Sequence, residues 1–168
     1  MCKKKVPILD TAAVITKIIL QLPTKQYTVP QVINEVKDRE SLEALEAAQI
    51  AGKLVVKKPS EESVVEAIKA AEKIGEKLSL SETDLAVIAL ALDFKKEGFE
   101  PIIYTDDYSL QNLAKNLGVT FHPIRTRGIT VKRKYILYCP ACGFTVSAKK
   151  RINVCPRCGH KLLRKSIS

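Results

Sequence analysis

Four short apolar runs punctuate the chain: VPIL at 6–9, LVV at 54–56, PIIYT at 101–105 and VTF at 119–121. Longer stretches with helical patterning lie between them, and no other feature constrains the fold as strongly. A strand apolar at consecutive positions has both faces buried, which is the mark of a parallel sheet covered by helices on each side. An apolar-rich helix is expected over 11–22, straight after the first strand. Thr28 is placed to cap a second helix that holds Pro30 in its first turn and runs towards Lys37. A third opens at Ser41 and reaches about 51, where Gly52 stops it before LVV. Val64, Ile68, Ala71 and Leu78 give 60–78 one apolar face. The stretch SLSETDLAVIALALDF, 79–94, gives a helix that begins near Ser81 and is apolar almost all round, as a deeply buried helix would be, and Gly98 ends it. A last helix over 108–117 leads through Gly118 to VTF. The fold class expected is α/β, a three-layer domain with a central parallel sheet over residues 1–124.

Composition leaves room for that domain and one small module: 168 residues, 46% hydrophobic and 27% charged. There is no run of about 18 apolar residues, so no membrane partner is expected. The opening MCKKKVPILD is broken by Asp10 too soon for a signal peptide, and a cytoplasmic location is the default expectation. The net charge of +10 is unevenly spread. Residues 1–107 hold 15 basic and 18 acidic residues, whereas the 61 that follow hold 13 basic and no acidic ones. Such a tail suits a polyanion, and nucleic acid is the expected partner; an anionic membrane would want a basic amphipathic helix. A merely solvated basic face is the plain alternative.

Within the tail, YCPACGF and CPRCGHK place Cys139, Cys142, Cys155 and Cys158 in a C-x2-C-x12-C-x2-C array. Two-residue spacers let one tight turn present two thiolates to a tetrahedral Zn²⁺, and the glycine after each pair permits the turn. An iron–sulfur centre or a redox dithiol pair fits the doubled knuckle less well. Four cysteines leave no open coordination position, so this zinc is structural, and a module of roughly 35 residues needs it to fold. The expected organisation is therefore a zinc ribbon over 135–168, joined by a basic linker, RTRGITVKRK, at 125–134. Lys132, Arg133, Lys134, Lys149, Lys150, Arg151, Arg157 and Lys161 are the candidate RNA-contacting residues, with Arg164 and Lys165 beside them. Tyr135, Tyr138 and Phe144 are interleaved, either to stack on bases or as the ribbon's small core.

The carboxylates point to chemistry. Asp10 follows the first strand, Asp106 and Asp107 follow PIIYT, and Asp84 lies three residues after Ser81. Each alone reads as a helix cap. Together they collect at the carboxyl ends of parallel strands, where such folds bind ligands. Acids converging there without basic partners repel one another, and Mg²⁺ or Mn²⁺ relieves this through oxygen ligation. Metal-assisted phosphodiester hydrolysis is the chemistry of such a cluster, and no phosphate loop, nucleophile elbow or dinucleotide fingerprint competes.

ILDTAAVI at the first strand end, SETD at a helix start and TDD at a later strand end resemble the PIN-domain nucleases. The resemblance implies that Asp10, Glu35, Asp84 and Asp107 hold a catalytic Mn²⁺ or Mg²⁺, directly or through water. Glu35, in VINEV, enters only through it; alone it reads as an ordinary helix-surface glutamate. Asp106 stays the alternative to Asp107, because a TxD pattern selects Asp107 while TDD leaves both open. Thr11, Ser81 and Thr105 are implied to orient carboxylates or water, and Ala12 stands where the family commonly has Ser. A PIN domain followed by a basic linker and a four-cysteine ribbon further resembles the Nin-one-binding endonuclease family, which trims the 3′ end of small-subunit ribosomal RNA. That likeness implies an endoribonuclease acting on precursor small-subunit rRNA, with the pre-ribosomal small subunit and its assembly factors as partners. Two other readings stay open: a toxin-like PIN ribonuclease, and a non-catalytic RNA-binding assembly factor whose acids are only caps.

Overall fold

The computed structural model describes residues 2–125, 134–148, 150 and 152–167, with the backbone alone at 134 and 167. In chain order the first domain contains β1 (Lys5–Leu9), α1 (Thr11–Ile15), α2 (Ile18–Gln21), β2 (Gln26–Thr28), α3 (Pro30–Glu35) and α4 (Arg39–Ile50). It continues with β3 (Leu54–Val56), α5 (Glu61–Ile74), α6 (Glu82–Lys96), β4 (Glu100–Tyr104), α7 (Tyr108–Leu117) and β5 (Thr120–His122). The five strands form one parallel sheet in the order β3-β2-β1-β4-β5. The chain runs outwards from β1 to β3, then returns past β1 to β4. Right-handed crossovers consequently put the early helices on one face and α5, α6 and α7 on the other. This is the three-layer α/β arrangement expected. The reversal of strand order falls between β1 and β4, whose last residues, Leu9 and Tyr104, pair directly. Such a switch point opens a crevice at the carboxyl edge.

α6 is the central helix, and residues 86–92 are buried without interruption. That explains its all-round apolar sequence: it packs on β1 and β4 below and on α5 and α7 at its sides. Its start is set by a capping box, in which the Ser81 hydroxyl accepts from the Asp84 N–H while the Asp84 carboxylate accepts from the Ser81 N–H.

Several local expectations are corrected. The helix expected over 11–22 breaks at Thr16 and Lys17. Lys17 turns to a left-handed φ of 59° and pairs with Glu40 at 2.7 Å, while the Thr16 hydroxyl donates to the Ala12 carbonyl at 2.8 Å. Such side-chain to backbone bonding competes with helix continuation. Thr28 is no helix cap: it ends β2, a strand that three residues with a polar, buried Gln26 did not announce. Its hydroxyl donates to the Leu9 carbonyl, and the Gln26 amide donates to the Ile19 carbonyl. The helix expected from Ser41 starts at Arg39, because the Asp38 carboxylate accepts from the Ser41 N–H and caps it. The helix expected over 60–78 stops at Ile74, where Gly75 takes φ 76°. Leu78 belongs to the short 3-10 turn Lys77–Ser79 that follows and is 80% exposed. β5 runs one residue later than VTF.

The C-terminal module is an antiparallel sheet of β6 (Lys134–Tyr138), β7 (Thr145–Ser147) and β8 (Leu163–Ile167), in the order β7-β6-β8. Lys134, counted with the linker on sequence grounds, opens β6. The module's own core is small: Leu137 and Leu162 with Cys139 and Cys155, against which Phe144 and Val146 pack.

Candidate active site and zinc centre

Strand ends and helix starts place the acids. Asp10 follows β1 and caps α1, its Oδ1 accepting from the Ala13 N–H at 2.9 Å. Asp107 follows β4 and caps α7, accepting from the Leu110 N–H at 2.8 Å. Asp84 sits in the first turn of α6, where its Oδ2 accepts from the Ser81 N–H at 2.8 Å and the Ser81 hydroxyl at 2.7 Å. All three cap readings are therefore correct, and they do not exclude a second role. Capping occupies only part of each carboxylate, which has room for about four acceptor contacts.

Two threonines and a glutamate tie these ends together. The buried Thr105 hydroxyl donates to the Asp10 carboxylate and accepts from the Asp107 N–H at 3.0 Å, spanning the β1–β4 switch point. Glu35, the last residue of α3, accepts from the hydroxyls of Thr11 on α1 and Thr83 on α6. A glutamate that reads as a surface residue in sequence thus joins three helices at the carboxyl edge. Thr83 was not anticipated; its only signal was its position inside SETD.

The electrostatics show that the acids feel one another. Asp10 is 6% exposed, and its pKa is pushed from the ordinary 3.8 to about 6. Burial is the main cause; bonds from Thr105 and Ala13 work against it, and the charges of Asp84 and Asp107 add to the rise. Asp84 is raised as well, first by burial, against the Ser81 bonds, with Asp107 and Glu35 contributing charge repulsion. Among the described residues no Lys or Arg forms an ion pair with Asp10, Glu35, Asp84 or Asp107. Uncompensated, partly buried carboxylates are a fitting donor set for a hard divalent cation. Among the described residues, the group of three or more potential ligands gathered closely enough to hold one ion by themselves is the four cysteines. A Mg²⁺ ion needs no such cage, since it keeps several waters and takes one or two carboxylates plus substrate oxygens.

Asp106 also holds backbone further along the chain. Its Oδ1 accepts from the N–H groups of Ile124 and Arg125 at 2.8 and 2.9 Å, which anchors the chain leaving β5. Asp107 adds charge repulsion to both Asp10 and Asp84.

In the ribbon, the four Sγ atoms lie within 4.8 Å of one another, with Cys139 and Cys158 at 3.4 Å and Cys142 and Cys155 at 3.6 Å. A tetrahedron with metal–sulfur bonds of about 2.3 Å has edges of about 3.8 Å, so the donor set fits Zn²⁺. The two knuckles share one hydrogen-bond pattern. The N–H of Gly143 donates to the Cys139 carbonyl, and that of Gly159 to the Cys155 carbonyl, each glycine at a positive φ near 70–76°. Of the candidate RNA contacts, Lys150, Arg157 and Lys161 are exposed, and Arg157 lies 5.7 Å from the Phe144 ring centre. Lys132, Arg133, Lys149 and Arg151 lie outside the described residues, as does the side chain of Lys134. Arg164, grouped with the RNA-facing cations on sequence grounds, turns instead towards Glu76 of the first domain.

Residues 8–94 match the family described as PIN domain of ribonuclease. Endoribonuclease Nob1 of Pyrococcus abyssi is 41% identical over 82% of each chain. Endoribonuclease Nob1 of Archaeoglobus fulgidus is 32% identical over 97% of this chain and 92% of its own. Ribonuclease VapC3 of Aeropyrum pernix is 41% identical over 72% of this chain and 87% of its own. The switch-point acids, the parallel sheet that carries them and these likenesses agree: the chain belongs to the PIN-domain ribonucleases, in the family of the Nob1 endoribonucleases.

Proposed function

We propose that this protein is an endoribonuclease that cleaves precursor small-subunit ribosomal RNA at its 3′ end, leaving a 3′-hydroxyl. The observation that carries the reading is the convergence of Asp10, Glu35, Asp84 and Asp107 from four separate elements at the sheet's switch point, without a basic partner among the described residues. Bound Mn²⁺ or Mg²⁺ would supply a polarised water and neutralise charge at the scissile phosphate. Asp10, Asp84 and Asp107 would hold that ion, with Glu35 placing it directly or through water. Thr105 keeps Asp10 and Asp107 in register, and Thr11 and Thr83 fix both oxygens of Glu35. No side-chain nucleophile is required, because water attacks the phosphorus in line with the leaving oxygen.

The ribbon, held by structural Zn²⁺, would grip RNA through Lys150, Arg157 and Lys161, joined by Lys132, Arg133, Lys134, Lys149 and Arg151. Phosphate contacts of this sort position a strand without reading its sequence. Selectivity would then come from single-stranded RNA shape and from the pre-ribosomal small subunit with its assembly factors. No helix among the described residues is long and apolar enough to cross a membrane, and a cytoplasmic site of action is part of the proposal.

The test is manganese-dependent cleavage of precursor RNA spanning the mature 3′ end, comparing wild type with Asp10→Asn. Undiminished cutting by the folded variant would remove the acidic edge from the mechanism. A second reading, a toxin-like ribonuclease acting on transfer or messenger RNA, draws on the likeness to Ribonuclease VapC3. Growth arrest on expression, with intact precursor rRNA, would favour it. A non-catalytic RNA binder would keep its RNA affinity and show no response to Mn²⁺ around Asp10 and Asp84.

A further inference from the structure

Arg164 stands on β8, yet its guanidinium is committed to the other domain. One nitrogen lies 2.7 Å from Glu76 Oε2, and another donates to the Ser79 hydroxyl. Glu76, just past α5, is 1% exposed, and its second oxygen accepts from the Asn112 side-chain amide at 2.9 Å. Asn112 is itself buried on α7, the helix that Asp107 caps. From below, the guanidinium is covered by the Tyr135 ring, 3.7 Å away at its centre. Beside the pair, side chains of the ribbon pack directly on Gly75. A Cβ on Gly75 would come within 2.7 Å of the Ala148 Cβ and 3.2 Å of the Tyr135 Cβ.

We propose that the buried Glu76–Arg164 pair locks the ribbon in one orientation against the nuclease domain and so determines which phosphodiester bond is cut. The proposal rests on the nuclease reading above. With the ribbon docked Glu76 is 1% exposed, so removing the Arg164 side chain alone would leave its charge buried and unpaired, which is strongly unfavourable. The lock matters because the covalent connection does not set the distance. The eight residues 126–133 could reach as far as ~29 Å if extended, a span of several stacked nucleotides. A ribbon free to move within that reach would present several neighbouring bonds to the acidic edge. Seated on Glu76, it measures one. A pair that served stability alone would change the unfolding transition and leave the cleavage map untouched.

The decisive variant is the double substitution Glu76→Gln with Arg164→Ala. Gln keeps an acceptor for Asn112, Ala removes both the guanidinium's bonds and its packing on Tyr135, and neither leaves an unpaired charge. Three readouts on the zinc-loaded full chain follow: ¹⁵N relaxation, the cut positions on precursor RNA spanning the mature 3′ end, and the rate on a short single-stranded RNA with Mn²⁺. The expected result is separate tumbling of the two domains, a wild-type rate on the short RNA and a ladder of neighbouring cuts in place of one. Arg164→Lys, which retains the charge without the planar fork, is expected to spread the cuts in a protein that folds as wild type does. A single unchanged cut in both variants overturns the lock while leaving the nuclease reading intact. Loss of the short-RNA rate also overturns it, since the pair would then support the acids rather than the register. Failure of the wild type to cut either RNA with Mn²⁺ overturns the nuclease reading and this inference with it.

Discussion

Asp10→Asn should stabilise the protein in the absence of divalent cations while abolishing its activity. At neutral pH the folded chain must ionise a carboxyl that is nearly buried, faces the charges of Asp84 and Asp107 and has a pKa of about 6 instead of 3.8. At 1.36 kcal/mol per pH unit, that difference disfavours the folded state by roughly 3 kcal/mol. Asn removes the charge and keeps the oxygen that accepts from the Ala13 N–H, so the cap on α1 survives. The sign depends on pH. Because the folded-state pKa is raised, the favourable binding of the proton is fully present below pH 3.8 and is lost as pH rises through about 6. Asp10→Asn should therefore melt roughly 5–10 °C above wild type at pH 8 and close to it at pH 4. The assay is thermal unfolding with zinc retained and no Mg²⁺ or Mn²⁺ present. Adding Mn²⁺ should close the gap by stabilising wild type alone. A variant less stable than wild type at pH 8, or a gain undiminished at pH 4, would refute the placement of Asp10 in a repelling, buried cluster.

Manganese affinity, followed by calorimetry, should fall as pH drops below about 6, because a protonated Asp10 no longer offers a charged oxygen to the ion. Asp107→Asn should weaken manganese-dependent cleavage, whereas Asp106→Asn should spare metal affinity and loosen the chain at Ile124 and Arg125, seen as faster amide exchange there. Thr105→Val, close in volume, should lose the bridge between Asp10 and Asp107 at a cost of about 1–3 kcal/mol in stability, with kcat falling more than RNA affinity. Chelating zinc, or substituting Cys142→Ser, should unfold the ribbon while the parallel-sheet domain keeps its helical circular dichroism, and RNA affinity should fall with it.

How far the sequence reached differs from feature to feature. β1, β4 and α6 were legible because their apolar patterns report burial directly, and the two cysteine knuckles because each is completed within a few residues. Asp10 and Asp107 were found because strand-end position is a local property. β2 was not, since QYT carries a buried Gln26 whose polarity is satisfied by the Ile19 carbonyl, a partner that no local pattern names. The break at Lys17 had the same origin: Glu40, 23 residues on, holds it. Glu35 needed its family to be noticed, because the hydroxyls of Thr11 and Thr83 reach it from helices far apart in the chain.

The sequence by itself determined the fold class, the four-sulfur site and the list of acids available for metal binding. These follow from the period of apolar residues and from short spacings, both of which survive without knowledge of any distant contact. Only the tertiary structure tied Asp106 to Ile124 and Arg125, drew Glu35 and Thr83 to the carboxyl edge and turned Arg164 from an RNA-facing cation into the partner of Glu76. Each of those outcomes depends on which remote group lies within hydrogen-bond or ion-pair reach, and chain folding rather than residue type sets that distance.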